Sequence, residues 1–199
     1  MKEVFAPEAR KKLKAMGLER ALYAFDFDGT LSGVVARPDE AKMRATTREL
    51  LGVLARRVPV AIVSGRAVAD LRQHVMGIPA RLIGNHGLEG IGLGPEALRA
   101  ARRVCKDWVR ELKDPIFGPR VGIELEDKTY TLSVHYRNCP DRRAAKLSIL
   151  QAASSLQPQP RILPGKCVVN LLPPGAPHKG VALVELMLEY DLHRAFYVG

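Results

Sequence analysis

Two aspartates, Asp26 and Asp28, close a short apolar run in LYAFDFDGTLSG, residues 22–33. Burying two carboxylates is costly unless something pairs with them, and a bound cation is the natural partner. Their spacing puts both side chains on one side of a regular strand. At such a strand end an aspartate can attack phosphorus and carry the phosphoryl group as an aspartyl phosphate. A cation there neutralises the phosphoryl oxygens. The second aspartate can protonate the leaving oxygen and later activate water. An Asx turn would use the same residue types for purely local bonding. An EF-hand loop fits worse, because counting from Asp26 puts Arg37 at the twelfth position, where a glutamate belongs.

Three other strings carry chemistry. VPVAIVSGR sets Ser64 and Gly65 between an apolar run and a helix start. A hydroxyl and free amides there form an anion site, although the same pair also makes a plain helix cap. Lys179, in PHKG, opens a helix after a turn rich in proline and glycine. Its ammonium either meets a phosphate as a point charge or stays solvated on the surface. GNHG, residues 84–87, follows another apolar run, so His86 reaches a sugar hydroxyl or satisfies its own loop.

Strand ends must be held side by side for these groups to meet. ALYAF, VPVAIVSG and ARLIGNHG read as strands, with AKMRATTRELLGVLARR and RAVADLRQHVMG as the helices between them. That alternation builds a parallel sheet covered by helices. Near Gly94 the character changes. PEALRAARRVCKDWVRELK reads as a helix before a hairpin in VGIELEDKTYTLSVHYR. DRRAAKLSILQAASSL is a second helix, before a hairpin in RILPGKCVVNLLP that turns at Pro164-Gly165. The doubled helix–hairpin pattern hints at an internal repeat. After PPGAP the first style returns, with a helix in HKGVALVELMLEY and a strand in RAFYVG. The expected fold is α/β: a doubly wound, Rossmann-like parallel-sheet core over 1–93 and 173–199, with an inserted α/β cap domain over 94–172 carrying an antiparallel sheet.

Length and composition leave room for this plan and narrow the partners. A chain of 199 residues accommodates one domain with a large insertion, and 47% hydrophobic with 26% charged residues describes an ordinary globular protein. No apolar run nears the roughly 20 residues needed to span a bilayer, and MKEVFAPEARKKLKAMG lacks the apolar centre of a signal peptide. Cys105, Cys139 and Cys167 are odd in number and lack metal spacing, which points to reduced thiols in a cytoplasm. The formal charge of +10 fits nucleic acid, a membrane surface or an anionic small substrate. Arg10, Lys11, Lys12 and Lys14 form the densest basic run, read as a solvated helix end. With 6% aromatics and no zinc-finger or RNP pattern, nucleic acid is a distant alternative.

The ordered set DFDGT, Ser64 and Lys179 resembles the haloacid dehalogenase superfamily of phosphatases. Within it, VSGR, GNHG, ELEDKTYTLSVHYR and HKGVAL make the chain similar to trehalose-6-phosphate phosphatases from Ala21 onward. The resemblance implies an HAD-like fold and Mg²⁺ bound by the Asp26 carboxylate and the Asp28 carbonyl. It implies Asp26 as nucleophile, Asp28 as acid/base, Ser64, Gly65 and Lys179 on the phosphate, and Glu126 and Lys128 on the sugar. Read from the residues, the first hairpin puts Tyr130, Leu132, Val134 and Tyr136 on one face. Thr129, Thr131, Ser133, His135 and Arg137 take the other, which either lines a sugar cleft or is a solvated sheet face.

Two departures from the family pattern stand out. Asn170 in GKCVVNLLP occupies a place where the family carries a sugar-contacting glutamate; the amide keeps hydrogen-bonding capacity and loses the charge. Past AFYVG the family would continue into an acidic, GDD-like loop that completes the metal site. The expectation is therefore a fragment of a longer chain, with a charge raised by the missing acidic tail. The expected activity is Mg²⁺-dependent hydrolysis of trehalose 6-phosphate. Its rivals are a phosphatase for sucrose phosphate or a mannosyl-3-phosphoglycerate-type substrate, and a non-catalytic sugar-phosphate-binding module.

Overall fold

Strand β1 (Leu22–Phe25) sends Leu22 and Ala24 to one face of a sheet and Tyr23 and Phe25 to the other. β2 (Val60–Val63) divides in the same way, so both faces of the sheet are apolar. In the computed structural model, which describes residues 7, 8, 11, 20–35, 37–117 and 122–199, helices cover both faces. Helix α1 (Ala45–Ala55) and helix α2 (Val68–His74) bury Leu51 and Leu71 against Phe27 and Ile62. Arg48 of α1 donates to the carbonyls of His74 and Met76, satisfying the C-terminal end of α2. Of the basic run, Arg10, Lys12 and Lys14 lie outside the described residues.

β3 (Arg81–Ile83) pairs with β2, and β8 (Ala195–Val198) pairs with β1, all parallel, in the order β3-β2-β1-β8. The chain moves from β1 toward β2 and β3 and returns at the end to the other side of β1. That reversal opens a crevice at the carboxyl ends of β1 and β8, the place where open α/β sheets bind ligands. Asp26 begins there, its backbone N–H donating to the Val198 carbonyl at 2.8 Å.

The intervening residues form a second layer pair with a core of its own. β4 (Glu124–Asp127), β5 (Leu132–His135), β6 (Arg161–Gly165) and β7 (Val168–Leu172) make an antiparallel sheet in the order β4-β5-β7-β6. Helix α3 (Pro95–Phe117) and helix α4 (Arg142–Ser155) pack on one face, with Trp108, Leu112 and Ile149 fully buried against Leu132 and Leu171. Asp141 caps α4 by accepting from the Ala144 N–H. We call this unit the cap. The second hairpin does not turn at Pro164-Gly165. Gly165 pairs with Val168, so the turn is Lys166-Cys167, with Cys167 at φ +61°. β6 is an edge strand, where a proline costs no ladder hydrogen bond. Helix α5 (Lys179–Glu189) then covers the remaining face of the parallel sheet through Ala182, Leu183 and Leu186.

Candidate functional site

Three loops meet at the carboxyl ends of the parallel strands, and glycines let them touch. A Cβ on Gly84 would lie 2.7 Å from the Arg66 carbonyl oxygen and the Val68 nitrogen. Gly87, at φ +113°, presses against His178 and Lys179, where a Cβ would come within 2.7 Å of backbone. GNHG is thus wedged between the loop after β2 and the start of α5. His178 caps that helix, its Nδ1 accepting from the N–H groups of Gly180 and Val181. Capping turns the first helical residue, Lys179, toward β1. Its Nζ lies 3.0 Å from Asp26 Oδ1, which also accepts from the Phe27 N–H at 2.8 Å. Among the described residues, Asp26 Oδ2 carries no hydrogen bond.

Asp28 faces a different cation. Arg66 forks onto its carboxylate, Nη2 to Oδ1 at 2.7 Å and Nε to Oδ2 at 2.9 Å. The guanidinium also donates to Asp70 Oδ2 at 2.8 Å, stands 3.2 Å from His74 Nε2 and lies over the Phe27 ring. Burial works against its charge, but Asp28 and Asp70 outweigh that and raise its pKa.

The cap roofs these groups with one polar face. Lys128 crosses from the β4–β5 turn to donate to the Gly65 carbonyl at 3.1 Å, and its Nζ is 3.6 Å from Glu126 Oε2. Glu126 is also 2.8 Å from His135 Nε2. Burial raises the Glu126 pKa, but His135 and Lys128 overcome it and leave the carboxyl below its ordinary range. Burial lowers the Lys128 pKa, against the attraction of Glu126. Asn170 accepts from the Ser133 hydroxyl at 2.6 Å and donates to the Leu163 carbonyl.

Beneath this roof a cavity of about 280 Å³ is lined by Asp26, Asp28, Gly65, His86 and Lys179 from the core and by residues of the cap. Glu126, Lys128, His135, Arg137 and Asn170 all reach it. Of the polar face of the first hairpin, His135 and Arg137 line the cleft and Thr131 and Ser133 are buried against Asn85 and Asn170, while Leu132, Val134 and Tyr136 sit in the cap core. His86 packs so tightly on Gly65 that a Cβ there would meet the ring at 2.5 Å. Among the described residues its buried Nε2 has no partner at hydrogen-bonding geometry, and burial with the charges of Lys128 and Lys179 lowers its pKa to about 4, against a smaller opposing pull from the Asn170 side chain. Ser64 behaves differently. Fully buried, its hydroxyl accepts from the Arg66 N–H, and the cavity wall carries Gly65 in its place. A larger cleft of about 680 Å³ adjoins the first and shares Arg66, Glu126, His135 and Arg137 with it.

The model of the trehalose-phosphatase family matches residues 24–199. The chain belongs to the trehalose-phosphatase family. Trehalose-phosphate phosphatase of Mycobacterium tuberculosis is 35% identical over 187 residues, covering 88% of this chain and 47% of the relative. That of Mycobacterium leprae is 33% identical over 173 residues, covering 81% and 40%. The chain thus spans about half the length of the curated relatives it matches. The C-terminal domain of Candida albicans trehalose-6-phosphate phosphatase superposes with a TM-score of 0.67 at 21% identity, over 91% of this chain and 70% of that one. A trehalose-6-phosphate phosphatase related protein gives 0.67 at 23% identity, over 90% and 77%. These two structures share the fold.

The donors that this sequence offers a metal are oxygens, the Asp26 carboxylate and the Asp28 carbonyl. Among the described residues no group of three or more His, Cys, Asp or Glu side chains is placed to hold a metal ion. A divalent cation accords with the family, and the Asp26 carboxylate with a backbone carbonyl suits a hard ion that takes its other ligands from phosphate and water. Sequence reasoning passed over Arg66, Asp70 and His74, the cluster that holds Asp28. Their signal was the spacing of Asp70 and His74 four and eight residues after Arg66, which puts both on the helix face that looks back at the guanidinium. Asn85 was passed over as well, standing in GNHG beside the histidine.

Proposed function

We propose that this chain is a Mg²⁺-dependent phosphatase that hydrolyses trehalose 6-phosphate to trehalose and phosphate through an aspartyl phosphate. The observation that carries this reading is the Asp26 carboxylate, pinned by Lys179 through one oxygen at the reversal point of the sheet, under a polar cap face. Oδ2 is the attacking atom, and it forms the bond to phosphorus as the sugar oxygen leaves. Lys179 and the Gly65 loop, with Ser64 behind it, hold the phosphoryl group. Asp28 gives its proton to the leaving sugar oxygen and then takes one from water, which attacks phosphorus and frees Asp26. Mg²⁺, held by the Asp26 carboxylate and the Asp28 carbonyl, would neutralise the phosphoryl oxygens.

Glu126, Lys128, His86, Arg137 and Asn170 bind the sugar. Two clefts that share Glu126, His135 and Arg137 support a substrate larger than one ring beside the phosphate. Three unpaired cysteines support a reducing cytoplasm, and no helix among the described residues is long and apolar enough to cross a membrane.

The test is phosphate release with Mg²⁺ across trehalose 6-phosphate, sucrose phosphate and mannose phosphates. Release confined to trehalose 6-phosphate and lost by at least about 10³-fold in Asp26→Asn is the expected result. Preference for another sugar phosphate would overturn the substrate, and turnover retained in Asp26→Asn would overturn the nucleophile.

A further inference from the structure

One of the contacts that tie the cap to the core is made by a fully buried side chain. Asn85 lies between β3 and His86 in the left-handed region, at φ +50°. Its Oδ1 accepts from the Thr131 hydroxyl of the cap at 2.5 Å. Its Nδ2 donates to Glu89 Oε2 at 2.9 Å and to the Lys128 carbonyl at 3.3 Å. The same Glu89 oxygen accepts from the Val68 N–H at 2.8 Å, at the start of α2. A continuous polar path therefore runs from the helix behind the Ser64-Gly65 loop, through Glu89 and Asn85, to both ends of the cap turn that carries Lys128. Lys128 N–H donates to the Thr131 carbonyl, so Asn85 grips a closed turn at both bonded residues.

We propose that Asn85 is a positioning residue: through Thr131 and the Lys128 backbone it fixes where the cap turn sits, and so where Lys128 and Glu126 stand over the phosphate loop. This rests on the sugar-phosphatase reading above. The bonds of Asn85 go to protein groups, so its effect on a substrate passes through the cap turn. A small phosphate ester that needs no cap contacts is indifferent to that position, whereas a sugar phosphate held by Lys128 and Glu126 is not. Displacement of binding groups by about 1 Å costs on the order of 100-fold in rate.

The variants follow from the backbone. Asn85→Gly removes the side chain yet tolerates φ +50°, where alanine would add strain. Thr131→Val removes the donor from the cap side at nearly constant volume, and Thr131→Ser keeps it. Wild type and variants are compared on trehalose 6-phosphate and on 4-nitrophenyl phosphate, with thermal unfolding to verify that each is folded. Amide hydrogen exchange over residues 127–131 is followed in parallel. The expected result is roughly a 30- to 100-fold loss of kcat/KM on the sugar phosphate, less than about 3-fold on the small ester, and faster exchange in the turn. Thr131→Ser should recover the sugar-phosphate activity. The double variant should lose little more than the worse single one, because both remove the same contact. Equal losses on both substrates, or no loss on either, would overturn the proposal. If the wild type cleaves the small ester and no sugar phosphate, the substrate reading falls on its own. Turn exchange then decides the latch, and unchanged protection in Asn85→Gly rejects it.

Discussion

Arg66 holds Asp28 by a two-point fork, with Nη2 to Oδ1 at 2.7 Å and Nε to Oδ2 at 2.9 Å, while its remaining amino group reaches Asp70. The proposed acid/base is thus oriented by a group whose own position is set by α2. A planar fork does this where a point charge would not.

Arg66→Lys keeps the charge and loses the fork. It should lower kcat by about 10- to 100-fold with a smaller change in KM. Because Asp28 and Asp70 are both near half exposed, the stability loss should stay near 1–2 kcal/mol. Steady-state kinetics and urea unfolding measure the two quantities. A variant with wild-type kcat would remove the orienting role.

His86 should make stability depend on pH in a defined window. Its pKa falls from 6.5 to about 4 in the folded protein. Between those values the unfolded chain binds the extra proton, so stability rises with pH from about 4 to 6.5, by up to about 3 kcal/mol from this group. Acidification through the same window removes it. His86→Asn, which accepts the left-handed backbone at φ +60°, should flatten the profile. Urea unfolding at several pH values reads the difference, and parallel profiles would contradict it.

Gly65→Ala should destabilise the chain by about 1–3 kcal/mol, because the new methyl group meets the His86 ring at 2.5 Å. The obstacle is a side chain and not backbone. Gly65→Ala in the His86→Asn background should therefore cost clearly less than it does alone, as a double-mutant cycle by thermal unfolding would register.

Asn170→Asp should raise the His86 pKa, since a carboxylate replaces the amide beside an imidazole now surrounded by cations. It should also cost about 1–3 kcal/mol, because the donor to the Leu163 carbonyl is lost in a buried place. Titration of the histidine ring protons by NMR follows the first effect. A pKa unchanged from wild type would separate the two residues.

The parallel core and the antiparallel cap were legible because strand and helix periods differ and each apolar face is complete within one segment. Leu22 and Ala24 on one side, Tyr23 and Phe25 on the other, state the double coverage of β1 within four residues. The hairpin of the cap separated its apolar and polar faces in the same way. The second hairpin was misplaced by two residues, because a Pro-Gly pair has the chemistry of a turn and only its edge position lets it remain in a strand. The strand expected through GNHG ends at Ile83, since Gly84 must approach the backbone of another loop.

By itself the sequence determined which residue types stand at the strand ends, and with them the family: DFDGT, Ser64-Gly65, GNHG and Lys179 are local strings whose chemistry is set by adjacent residues. Only the tertiary structure decided which cation faces which aspartate. Lys179 goes to Asp26 and Arg66 to Asp28, although both cations follow strand ends and nothing in their spacing separates them. It alone showed Ser64 turned into the protein, His86 pressed on Gly65, and Asn85 joined to a threonine 46 positions away. The physical reason is distance. Periodicity and turn chemistry act over a few residues, whereas these pairings depend on how three loops and a cap close on one another, and the glycines that permit such closeness do not say what will fill it.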